Sequence, residues 1–112
     1  MRVVLIKPDE APQTVEISGS MEDILRLLDC DYAETVTLTP ATLLLHSDSA
    51  KRESRAENVG ATVFFQYAGA RFEDHIAGNA VIVGVDDEGE FAEPDLNTLM
   101  SAVEAYEKNK DR

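Results

Sequence analysis

Six consecutive apolar residues, AVIVGV at 80 to 85, constrain this chain more than any other stretch. The run is rich in β-branched residues and is bounded by Gly78 before it and an acid-rich turn after it, so it predicts a fully buried strand. A buried strand needs neighbours. RVVLI at 2 to 6 and QTVEIS at 13 to 18 have strand composition, and Val15 and Ile17 alternate with polar residues. The KPDEAP between them carries two prolines that stop pairing and mark a turn. An opening hairpin is the expectation, with a parallel arrangement as the open alternative.

GSMEDILRLLDCD follows, in which Ser20 can cap a helix over about 21 to 29 whose third position is Asp23. Ile24, Leu25, Leu27 and Leu28 give it an apolar face. AETVTLTPATLLLHS then reads as two short strands broken at Pro40, and SDSAKRESRAENVG at 47 to 60 reads as a long polar loop. TVFFQY at 62 to 67 has strand propensity, yet Val63, Phe64 and Tyr67 also fall on one side of a helical turn, so both assignments stay open. A last helix opens at Asp95 or Glu93, with Pro94 near its first turn and Leu96, Leu99, Met100, Val103 and Tyr106 as one apolar stripe. The expected fold is α+β: a single two-layer domain over 1–112, a mostly antiparallel sheet carrying two amphipathic helices, with 108–112 as a fraying tail.

Composition excludes several classes of function. The 22 acids against 10 bases leave a net charge of −12, divided evenly between residues 1–48 and 49–112. A field of that sign repels nucleic acid and anionic lipid surfaces, so direct nucleic-acid binding is not expected. Apolar runs of about six residues cannot span a bilayer, and four apolar residues before Lys7 do not make an export signal. Cys30 is the lone cysteine, which excludes an internal disulfide and a multi-cysteine zinc site. A cytoplasmic location follows as the expectation.

Candidate sites are weighed against plain structural roles. If DDEGE were a calcium loop with Gly89 at its sixth position, Gly84 would stand at the first ligand position and Asp95 at the twelfth, which is a poor match. As a hairpin tip the same residues make sense: Asp86 accepts from backbone N–H groups ahead of it and Gly89 takes the positive φ. That leaves Asp87, Glu88 and Glu90 facing solvent. Cys30 lies at a helix C-terminus between Asp29 and Asp31, so a thiolate there is disfavoured. His46 and His75 lack metal-ligand spacing and read as surface or strand-end residues. Lys51, Arg52 and Arg55 are interleaved with Glu53 and Glu57 and read as a mixed-charge loop. No phosphate loop, nucleophile elbow or catalytic triad is visible, so no enzyme, cofactor or metal is expected.

IKPDEAPQTVEISGSMEDILRLL at 6–28, ENVGAT at 57–62 and GNAVIVGVDDEGE at 78–90 together resemble the uncharacterised small-protein family known as domain of unknown function 3846. The resemblance covers most of the chain, and its last motif is the most specific. It places the family's asparagine at Asn58, its Ala-Thr pair at Ala61 and Thr62, its Gly-x-Ala-Val run at Gly78, Ala80 and Val81, and its acid-rich turn at Asp86 to Glu90. After Leu45 this chain departs from the pattern, with HSDSAKRESRAE where the family has an acidic residue and a glycine turn. The resemblance implies a setting, bacteriophages and bacteria carrying mobile elements, and no activity. It also implies a helical turn starting near Asn58.

Two functional expectations result. The first is a non-enzymatic accessory protein that binds a protein partner with a basic surface, in its sharpest form a DNA mimic that inhibits a host defence or DNA-processing protein. Self-association is compatible with it. The second is a small-ligand or metal-binding module. The residues named for binding in either case are Asn58, Thr62, Asp86, Asp87, Glu88 and Glu90.

Overall fold

A computed structural model describes residues 1–69 and 74–109. The apolar run at its centre is strand β5 (Ala80–Val85), and the remaining strands are β1 (Arg2–Ile6), β2 (Gln13–Glu16), β3 (Ala33–Thr39), β4 (Thr42–Ser47) and β6 (Phe91–Ala92). They form one antiparallel sheet in the order β2-β1-β5-β4-β3, with β6 paired to the end of β5. The opening hairpin is antiparallel as expected, with Val3 opposite Val15 and Leu5 opposite Gln13. Three helices complete the described chain: α1 (Met21–Leu28), α2 (Val59–Tyr67) and α3 (Leu96–Asn109).

The α+β class and the antiparallel sheet stand; the layering is richer than two layers with two helices. Successive residues of a strand point to opposite faces. Val3 and Leu5 join Val81, Val83 and Leu45 under Ile24 and Leu28 of α1, while Val4 and Ile6 join Ile82, Ala80 and Leu44 on the face that Ala61 and Ala102, from α2 and α3, cover. Helices thus lie on both sides. This double cover is why β5 is apolar without alternation, and Ala80 through Val83 are fully buried.

Local signals account for most boundaries. The Ser20 hydroxyl accepts from the Asp23 N–H at 3.2 Å, and the Asp23 carboxylate reaches back to the Ser18 N–H at 2.8 Å, a capping exchange that starts α1. Asp29 ends it in the left-handed region at φ 53°, and Arg55 donates to the carbonyls of Leu28 and Asp29 at 3.0 and 2.7 Å. The Pro40 break closes the β3–β4 hairpin with Thr39 opposite Thr42. Residues 59–67 are helical: the Asn58 side chain caps them, and that tertiary anchor overrides the strand propensity of the stretch.

Helix α3 opens where expected, with the Asp95 carboxylate accepting from the Asn97 N–H at 2.8 Å. Its buried side is not the expected stripe. Of that stripe only Leu99 packs against the core cluster, Leu96 and Met100 are 78% and 69% exposed, and the buried contact is made by Ala102, whose small side chain permits close approach to α2 and the sheet. Helix α3 runs into the first two residues of the expected tail. Lys108 pairs with Glu104 at 2.8 Å and Asn109 donates to the Ala105 carbonyl, so both are helical, while 110–112 lie outside the described residues. Among the described residues no helix is long and apolar enough to cross a membrane.

Candidate functional site

The acid-rich turn has the geometry of a closed hairpin tip. Asp86 Oδ1 accepts from the N–H groups of Glu88 at 2.9 Å and Glu90 at 3.0 Å, and the Asp86 carbonyl accepts from Gly89, which sits at φ 81°. Asp86 is therefore the residue that shapes the turn, and Asp87, Glu88 and Glu90 project from it, exposed. Behind the tip, Gly84 lets β6 come close: a Cβ there would lie 2.6 Å from the Glu93 carbonyl oxygen. Glu93 itself accepts from the Arg2 N–H at 2.8 Å, a contact that, with the Arg2 guanidinium at 3.6 Å, holds its carboxyl below the ordinary range.

Asn58, the N-cap of α2, and Thr62 within that helix lie beside the other end of the same strand. Asn58 is buried, and its Nδ2 donates to the carbonyls of Ile6 at 2.8 Å and Gly78 at 2.9 Å while its Oδ1 accepts from the Ala61 N–H at 3.1 Å. Thr62 donates its hydroxyl to the Asn58 carbonyl at 2.8 Å and accepts from the Ile76 N–H at 3.0 Å. Every side-chain polar group of the pair is engaged inside the protein. The six residues of β5, at ~3.3 Å each, put roughly 20 Å between this knot and the acidic turn. One small molecule cannot touch both. The structure therefore separates the six named residues into an internal tie, Asn58 and Thr62, and an exposed tip, Asp86 to Glu90.

The other candidates resolve into local roles. Burial raises the Cys30 thiol first, with Asp48 adding to it and Ser47 and Arg55 opposing, so desolvation rather than the helix terminus suppresses the thiolate. His46 is at a strand end, the second of the two expected places, and is largely covered there: its side chain is 12% exposed, its Nδ1 lies 3.2 Å from the Ser47 carbonyl, and its ring meets Phe65 at 6.2 Å. Among the described residues its buried Nε2 has no hydrogen-bond partner and lies 3.7 Å from the Glu34 carboxylate. Lys51 pairs with Asp74, and Arg55 with Glu53 at 2.6 Å, so the basic loop is tied down internally. Among the described residues no three His, Cys, Asp or Glu side chains are grouped to hold a metal ion.

One feature has no signal in the linear pattern. A groove of about 900 Å³ runs between α2 and α3 over the turn end of β3 and β4. Leu38, Val63 and Phe64 form apolar wall, Tyr67 stands on its rim 88% exposed, and α3 turns its small residues Thr98, Ser101 and Ala105 towards it. Gly84, Val85 and Ala92, which flank the acidic turn in the chain, are among the lining residues, so the turn adjoins the groove along the chain. The side of α3 that faces the groove could be found only once the helix's rotation was known.

No curated protein and no solved structure matches the chain. The family model described as Domain of unknown function (DUF3846) matches residues 1–105, nearly the whole chain, with the Asn58 knot, the central strand and the acidic turn all inside the match. The chain belongs to that family.

Proposed function

We propose that this is a small acidic accessory protein, of a phage or mobile element, that acts by binding a protein partner with a basic surface and carries out no chemistry itself. The observation that carries the reading is the disposition of charge: net −12, with Asp87, Glu88 and Glu90 exposed on a rigid, hydrogen-bonded tip rather than gathered in a pocket. Carboxylates held outward steer association with a cationic surface and set its specificity more than its raw strength. A protein that handles nucleic acid is the natural class of partner, since its working surface is already basic. A regular rail of phosphate-like charges is not needed for this; α3 mixes Glu104 and Glu107 with Lys108.

The test is capture from host lysate on the immobilised chain and on the same chain with Asp87→Asn, Glu88→Gln and Glu90→Gln. The expected outcome is a protein retained by the native chain, released by raised salt and lost from the triple variant. Nothing retained at any salt concentration would contradict the proposal.

A further inference from the structure

The acidic tip stands beside the α2/α3 groove, and that adjacency says more about the partner than charge alone. We infer that the groove is a docking site for an extended segment of a partner protein that carries apolar side chains and lysine or arginine residues. The inference rests on the basic-partner reading above and gives it a location.

Three observations support it. The groove has room: about 900 Å³ falls within the usual range for binding clefts, and the 14 residues of α3, at ~1.5 Å each, make it roughly 21 Å long, enough for about six residues of extended chain. Its walls are apolar where Leu38, Val63, Phe64 and Ala92 meet, and among the described residues the small side chains of α3 do not fill it. An aliphatic or aromatic side chain entering there would remove apolar surface from water on both partners.

The charge pattern then selects among apolar occupants. Among the described residues the charged side chains that line the groove are Glu93, Asp95, Glu104 and Lys108, with Lys108 paired to Glu104 and Glu93 to Arg2. The described lining thus carries three acids and one base, and Asp87, Glu88 and Glu90 follow close after Val85 in the chain, so the described charge near the groove is predominantly negative. An uncharged greasy segment would forgo this field, and an acidic one would be repelled by it. A second copy of this chain, itself at −12, is disfavoured for the same reason. A segment alternating apolar and basic residues satisfies wall and rim together, because successive side chains of an extended chain point to opposite sides.

The chain has no tryptophan, so Tyr67→Trp at the exposed rim gives a single reporter of occupancy. The probes are two heptapeptides, one alternating leucine with lysine and one alternating leucine with glutamate. The leucine–lysine peptide is expected to shift the tryptophan emission saturably and the leucine–glutamate peptide to leave it unchanged. Filling the groove by Ala105→Phe or, separately, Ser101→Phe should weaken binding by about tenfold or more, a loss near 1.4 kcal/mol. Both positions lie on α3 outside the core, and melting curves show which variant is folded. Glu22→Gln with Glu57→Gln, two exposed carboxylates that do not line the groove, the first on α1 across the sheet, should change affinity by no more than about twofold. If the filled variants bind the lysine peptide as tightly as the unfilled chain, the groove is not the site and the basic-partner reading survives. If neither peptide binds, or both bind alike, the charge argument beneath both readings fails.

Discussion

At the scale of single residues, Asn58 is the position on which most depends. One amide side chain ties the end of β1, the start of α2 and the approach to β5 through three hydrogen bonds. Asn58→Ala leaves buried carbonyl and N–H groups without that partner, and at ~1–3 kcal/mol for each unsatisfied group the expected loss is about 3 kcal/mol in a denaturant titration. A change below about 0.5 kcal/mol, the size of an ordinary surface substitution, would show the knot to be dispensable. The sequence named this residue as a binding candidate, and the structure adds an internal structural role. An asparagine that caps a helix from inside the protein and one that waits for a ligand look the same in a string of letters; only the positions of the Ile6 and Gly78 carbonyls distinguish them.

His46 yields a pH dependence whose sign can be worked out. Burial lowers its pKa below the ordinary value, and the Ser47 carbonyl and Glu34 carboxylate oppose this only in part, with Lys51 and Asp74 as the remaining nearby charges. The folded chain thus holds the ring neutral where the unfolded chain would already be protonated. Stability from this source is complete above about pH 6.5, the unperturbed value, and is lost as the pH falls from there towards the folded value. His46→Gln should flatten that part of the stability curve, measured as denaturation midpoint against pH. An identical slope in native chain and variant would contradict the assignment.

Among the elements, the β5–β6 hairpin and α3 mark where sequence reading succeeds and where it stops. The turn was legible because its determinants are local: Asp86 bonds to N–H groups two and four residues ahead, and Gly89 takes a backbone conformation that other residues adopt with strain. Helix α3 was legible as a helix but not in its rotation. Which of two adjacent apolar stripes turns inward depends on the shape of α2 and the sheet beneath, and Ala102 won over Leu96 and Met100 because it fits against them more closely. The hairpin's dependence on Gly84 gives a test at this scale. With a Cβ 2.6 Å from a backbone oxygen that cannot swing aside, Gly84→Ala should cost ~1–3 kcal/mol and speed amide exchange at Asp86 and Glu90. Unchanged exchange at those two amides would mean that β6 accommodates the methyl group.

For the whole molecule, the apolar continuity of β5 already contained the layering. A strand that is buried on both faces needs cover on both, and α1 supplies one side while α2 and α3 supply the other. A two-layer arrangement would have left one face of AVIVGV in water. What the linear pattern could not contain was the groove, because its walls come from β3, α2, β5 and α3 and meet only after folding. The net charge, by contrast, is a property of the whole surface and needs no fold to be read. Its meaning does need one: carboxylates on a rigid tip beside an unfilled apolar groove can take part in recognition together, whereas the same number scattered at random would only solubilise.

The most direct test is the affinity for a protein captured from host lysate and then purified, measured against salt concentration, for the native chain and for the chain with Asp87, Glu88 and Glu90 neutralised. Association by complementary charge predicts that affinity falls steadily as salt rises, and that the neutralised chain binds more weakly and depends less on salt. An affinity that salt leaves unchanged, and that the three substitutions do not alter, would show that the acidic surface takes no part in binding.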